Sequence, residues 1–166
     1  MPQQYFQTRF LSAGFLVLSL VLTSCATTTM PQADHQAIKH APDVELTVFR
    51  SPTCGCCGAW IEHMEAAGFR INDQITEDMD AIKAKYDVAD ELASCHTTVA
   101  AGYVIEGHIP AADVARLLTE RPDVAGIAVP GMPIGSPGME SGDYIEPYTV
   151  FSFTDEGATA VFSEHS

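Results

Sequence analysis

The chain has 166 residues, with 22 acidic against 8 basic side chains and a formal charge of −14. That length suits one domain of ordinary size and not two. So acidic a surface repels nucleic acid and anionic membranes, which excludes charge-driven binding to either.

Arg9 is the only basic residue before an apolar run, Phe10–Leu22, broken only by Ser12, Gly14 and Ser19. Its 13 residues fit the core of a signal peptide and fall short of the ~20 that a spanning helix needs. The leader ends Leu22-Thr23-Ser24-Cys25. A small residue before a cysteine, with Leu three positions earlier, resembles the lipobox of bacterial lipoproteins. Residues 1–24 are therefore expected to be a lipoprotein signal peptide, and Cys25 the lipidation site and membrane anchor. Ala26 after the cysteine fits delivery to the periplasmic face of the outer membrane. Without lipidation the protein would be soluble in the periplasm. Residues 25–43 are rich in Thr, Pro, Gln and Ala and read as a flexible tether, with His35 and His40 as solvated side chains.

Glu45–Arg50 is a short β-rich run ended by Ser51-Pro52 and is predicted to be a strand. After Thr53-Cys54-Gly55-Cys56-Cys57-Gly58, apolar residues recur at Cys57, Trp60, Ile61 and Met64, the spacing of an amphipathic helix that Gly68 stops. Phe69–Ile75 reads as a second strand, and Asp78–Tyr86 as a short helix with Met79, Ile82 and Tyr86 on one face. Glu91–His96 is a turn. Thr97–Ile105 reads as a strand, followed by a tight turn and a return at Gly107–Ile109. Pro110 opens a helix with Val114, Leu117 and Leu118 on its buried stripe, and Pro122 ends it. Ala125–Val129 is a short apolar run, and Pro130–Gly142 a Pro/Gly/Met loop. Tyr148–Phe153 and Ala158–Phe162 flank Thr154-Asp155-Glu156-Gly157, a hairpin signal. A cysteine motif between a first strand and a helix is the layout of a thioredoxin-like α/β domain. Residues 44–166 are expected to form one such domain, a mixed central sheet flanked by helices with an added C-terminal β-hairpin.

Cys54, Cys56 and Cys57 combine C-x-x-C, C-x-C and an adjacent pair. At a helix N-terminus they meet the positive end of the dipole and unpaired N–H groups, which favour thiolate. Adjacent cysteines diverge, so they chelate one ion together poorly but bind or bridge different ions well. Three thiolates this close point to a polynuclear site more than to a single tetrahedral zinc. Soft thiolates select copper(I), zinc or iron–sulfur clusters, and the residues alone leave these open. In a thioredoxin-like fold, Cys95 falls beside the start of the cysteine-bearing helix, as a fourth thiol. His63, His96, Met132 and Met139 are further candidate ligands, the methionines because a thioether in a Gly/Pro loop is a soft donor. Met64 is expected in the core, and His108 is expected to be structural. The alternative is a thiol–disulfide oxidoreductase using Cys54 and Cys57. Against it, Cys56 competes for mixed disulfides, and aromatic company comes only at Trp60. No proline lies between Pro52 and Pro110, where thioredoxins place one opposite the motif. No serine triad, phosphate loop or paired-carboxylate pattern supports hydrolase chemistry.

Four blocks carry a wider resemblance: Ser51–Gly58, Glu91–Thr97, Gly102–Pro110, and Val129–Pro133 through Ser136–Glu140. Together, over residues 45–165, they resemble the CopG-type periplasmic copper-resistance proteins, long catalogued as a domain of unknown function. The resemblance implies a thioredoxin-like fold and a periplasmic location. It also implies a multinuclear copper site on Cys54, Cys56, Cys57 and Cys95. The implied role is copper(I) sequestration, transfer or redox handling beside other periplasmic copper-resistance proteins. The apparent lipobox departs from a freely diffusing periplasmic protein.

Overall fold

The computed structural model describes residues 43–166. The expected signal peptide, Cys25 and residues 26–42 of the tether lie outside the described residues. In chain order the elements are β1 (Glu45–Arg50), α1 (Gly55–Ala66), β2 (Arg70–Ile75), α2 (Met79–Lys85), a 3-10 turn (Asp90–Leu92), β3 (His96–Ala100) and β4 (Tyr103–Glu106). Then follow α3 (Ala111–Glu120), β5 (Gly126–Ala128), β6 (Tyr148–Phe153) and β7 (Thr159–His165). The strands form one mixed seven-stranded sheet in the order β2-β1-β3-β4-β5-β6-β7. β1 and β2 are parallel, as are β4 and β5, and the other neighbours are antiparallel. This is a mixed α/β domain that ends in the expected C-terminal hairpin.

The helical spacing and the strand alternation each select a buried face. On β1, Leu46 and Val48 alternate inward, and on α1 the Cys57, Trp60, Ile61 and Met64 stripe is buried. Leu46, Val48, Trp60, Ile61 and Met64 pack with Val114 and Leu117 of α3 and with Ile105 and Ile127 of the sheet in the main core. Each such fully buried apolar side chain contributes about 1.5–3 kcal/mol. Trp60 also has its indole N–H satisfied, donating to the Ile109 carbonyl at 2.9 Å. A smaller cluster of Val88, Leu92, Val104, Ala128 and Phe153 forms a second core. α2 contacts β1 and β3. Asp78 caps it by accepting from the Ala81 N–H at 3.0 Å, but none of its residues is fully buried. Among the described residues, no helix is long and apolar enough to cross a membrane.

One expectation is corrected. The hairpin turn lies at Ala101-Gly102, not beside Gly107. β3 and β4 pair from Ala100↔Tyr103 to Thr97↔Glu106. Ala101 and Gly102 both have positive φ, 50° and 91°, the conformation that tight two-residue hairpins require. Ala101 is an uncommon residue there, so the turn is hidden inside an otherwise strand-like run. Gly107–Ile109 is not a returning strand. It is a turn, with the Ile109 N–H bonded to the Gly107 carbonyl at 2.8 Å, that feeds α3.

Candidate metal centre

The site forms where β1 ends. The Cys54 N–H turns back to the Ser51 carbonyl at 3.2 Å, and Cys54 becomes the N-cap of α1. No side chain caps that terminus, so the first-turn N–H groups face the cysteine loop. Cys57 points into the core and is fully buried, whereas Cys54 and Cys56 are half-buried. Cys54 and Cys57 are joined by a disulfide, with their Cα atoms 5.4 Å apart.

Strand register brings in the fourth thiol. Arg50 of β1 lies opposite His96 of β3, so the residue before His96 falls level with the start of the cysteine loop. Cys95 Sγ is 3.8 Å from Cys56 Sγ, and Cys56 Sγ is 3.5 Å from Cys54 Sγ. Cys57 Sγ lies 3.7 Å from the Cys95 carbonyl oxygen. All four sulfurs lie within 4.8 Å of one another, drawn from two segments of chain.

The histidines divide differently from expectation. His108 is fully buried, and its Nε2 lies 2.9 Å from Cys95 Sγ. Its Nδ1 lies 2.8 Å from the Pro137 carbonyl, which can only accept, so Nδ1 carries the proton. Nε2 is then the bare nitrogen facing the thiol, the arrangement of a metal-ready histidine oriented by a carbonyl. Expected as a structural residue, His108 is instead placed within hydrogen-bond distance of a candidate ligand, Cys95. His96 stands beside it, with rings 5.0 Å apart, and its Nδ1 is 3.6 Å from Cys95 Sγ. His96 Nε2 is buried with no protein partner. Cys95, His96 and His108 thus make a second ligand group that shares Cys95 with the first. His63 accepts the Ala111 N–H on its Nε2 at 3.2 Å and belongs to neither group.

The Pro130–Gly142 loop folds over the site. A Cβ on Gly138 would meet the Cys56 carbonyl oxygen and the Trp60 nitrogen, each at 2.7 Å, so only glycine lets the loop approach α1 this closely. Met139 in this loop is half-buried, and Met132 is exposed.

Burial sets the protonation of the site. It pushes the Cys95 thiol up to about 12, and repulsion from Cys56 adds to the rise. It holds His96 well below its ordinary 6.5, with His108 and Lys83 adding to the effect, and it lowers His108 and His63 as well. A histidine kept neutral in the fold contributes stability that is complete above pH 6.5 and is lost as pH falls below it. Metal-free protein is therefore expected to lose stability from about pH 6.5 downward. His96 alone would give a slope approaching about 1.4 kcal/mol per pH unit. Denaturant titrations at stepped pH values check this, and a flat profile between pH ~6.5 and ~5 would contradict it.

The solved structure of the copper resistance protein CopG in its form 2 is 46% identical to this chain, covering 74% of this chain and 98% of that one with a TM-score of 0.71. The chain belongs to the CopG copper-resistance family. Form 1 of CopG agrees, at 47% identity and TM-score 0.70, covering 73% of this chain and 96% of the other. A family model described as a protein of unknown function, DUF411, matches residues 92–139, from the Cys95 segment through the Met139 loop. No curated protein sequence matches the chain. In this CopG-family chain, Cys95, His96, His108, Met132 and Met139 fall within the span of that family model, and Cys54, Cys56 and Cys57 precede it.

Proposed function

We propose that this chain binds copper(I) on Cys54, Cys56, Cys57 and Cys95 and acts in copper resistance by sequestering, handing on or changing the oxidation state of periplasmic copper. The observation that carries the reading is the convergence of four sulfurs within 4.8 Å from two separate segments. Thiolates are soft donors and suit copper(I), which fits the family's name. Cys56 lies between Cys54 and Cys95, the position of a bridging sulfur, and this supports a site for more than one ion. His108 Nε2 supplies a nitrogen donor at its edge. His96 and Met139 are the candidate additions, whereas Met132 is 51% exposed and His63 already accepts a backbone N–H.

Opening the Cys54–Cys57 disulfide takes two electrons and two protons and yields two thiols; an external dithiol would supply both and leave as a disulfide. Loading then requires those thiols, Cys56 and Cys95 to bind as thiolates, so uptake is accompanied by proton release. Lipidation at Cys25 would hold the site at the periplasmic face of the outer membrane, beside other periplasmic copper-resistance proteins, and the acidic surface leaves no role for nucleic acid.

The test is a competition. Fully reduced protein, kept from oxygen, is offered copper(I) against a copper(I) chelator and, separately, zinc(II) against a zinc chelator. Retention of copper(I) with zinc(II) readily displaced supports the reading. Retention of zinc alone overturns it. The Cys54–Cys57 disulfide favours a second reading, a thiol–disulfide oxidoreductase. Sustained insulin reduction by metal-free protein, with no copper retained, would select it.

A further inference from the structure

Glu106 is fully buried on β4, directly across from Thr97 of β3. A buried carboxylate is unfavourable unless its charge and its lone pairs are compensated. Here the compensation is complete. Oε1 accepts from Lys83 Nζ and from the backbone N–H of Ser94, the latter at 2.7 Å. Oε2 accepts from the Thr97 hydroxyl at 2.7 Å, and Lys83 Nζ donates to that same hydroxyl at 3.2 Å.

Ser94 is the residue immediately before Cys95. It is also held from the other side. Its hydroxyl donates to the Gly131 carbonyl, and the Gly131 N–H returns to the Ala93 carbonyl at 3.1 Å. The peptide leading into Cys95 is thus pinned between a buried carboxylate and the loop that covers the site.

Stability alone does not call for this arrangement. Buried ion pairs are weak stabilisers compared with well-packed apolar side chains of similar volume. Lys83, moreover, comes from α2, which has no fully buried residue, so the pair joins a peripheral helix to the Cys95 segment. Its distinctive product is placement of the Ser94–Cys95 peptide.

We infer that Glu106 is a positioning residue for the metal centre, with Lys83 as its counter-ion. It holds the Ser94–Cys95 peptide so that Cys95 Sγ stays 3.8 Å from Cys56 Sγ and 2.9 Å from His108 Nε2. The inference rests on the copper reading above, and it names a group that touches no ligand atom yet sets where one lies.

The test compares the full chain with Glu106→Gln, which keeps the side chain's size and removes its charge. Three quantities are read: the unfolding midpoint, the copper(I) affinity, and the alkylation rate of Cys95 in reduced, metal-free protein, followed on the Cys95 peptide. Glu106→Gln is expected to weaken copper(I) about tenfold or more, the usual effect of removing an outer-shell partner, and to change the Cys95 alkylation rate several-fold. Asp113→Asn is the control, because Asp113 is another buried acid, bonded to Ser163 and His165. It is expected to move the unfolding midpoint and leave copper affinity and Cys95 reactivity unchanged. Should Glu106→Gln fail to fold, the charge-free pair Lys83→Met with Glu106→Gln carries the same measurements. Copper affinity and Cys95 alkylation both within about twofold of the parent would overturn the inference. If the parent itself retains no copper(I), the functional reading fails, and the alkylation rate still decides whether Glu106 places Cys95.

Discussion

Cys56→Ser is expected to lower copper(I) affinity about a hundredfold or more, equivalent to about 2.7 kcal/mol. Cys56 Sγ lies 3.5 Å from Cys54 Sγ and 3.8 Å from Cys95 Sγ, so it links the two segments that supply the donors. Serine puts a hard, protonated oxygen where a soft, bridging sulfur is needed. The fold should tolerate the change, because Cys56 is a free, half-buried cysteine outside the core clusters. Its unfolding free energy is expected to shift by about 0.5 kcal/mol or less. Chelator competition and denaturant unfolding on the same sample separate the two effects. A Cys56→Ser protein that kept its full copper load would remove Cys56 from the bridging position.

Gly107→Ala should be the most damaging small substitution near the centre, at about 3 kcal/mol or more. Gly107 has φ of +80°, and a Cβ there would lie 2.5 Å from Ser94 Cβ and 2.7 Å from the Val129 carbonyl oxygen. Neither neighbour yields easily. Val129 accounts for backbone already bonded to Glu106, through Val129 N–H at 2.9 Å, and Ser94 is pinned on both sides. The methyl group therefore presses on the peptide that carries Cys95. Gly102→Ala isolates the steric part. Gly102 also has positive φ, +91°, but nothing lies within 4 Å of its would-be Cβ, so only the backbone strain of about 1 kcal/mol is expected. Equal losses at the two positions, measured by denaturant unfolding, would show that crowding against Ser94 and Val129 contributes nothing.

The contrast between these glycines also explains what the sequence could and could not disclose. The helix from Gly55 to Ala66 was legible because Trp60, Ile61 and Met64 recur at helical spacing and all three are buried. The cysteine cluster was legible too, because three of its members are local and the fourth lies beside the end of a strand. The placement of His108 was not. It depends on where the β3–β4 hairpin turns, and a turn read beside Gly107 leaves His108 on a short return strand. With the turn at Ala101-Gly102, the ladder ends at Thr97↔Glu106, the Gly107 N–H bonds to the His96 carbonyl at 3.0 Å, and His108 Nε2 comes to 2.9 Å from Cys95 Sγ. Two positive-φ residues, one of them an alanine, decide that register, and alanine gives no turn signal. Glu106 was hidden for a different reason. A single acidic residue in an apolar run reads as solvent-facing, and only tertiary structure brings Lys83, Thr97 and the Ser94 amide to it.

Under the proposed function these thiolates hold several soft ions together. The most direct measurement is an elemental count of metal per chain after anaerobic loading with copper(I) and zinc(II) offered in equal excess. More than one copper per chain, with zinc absent, is the predicted result. One zinc per chain, or no bound metal at all, would contradict it.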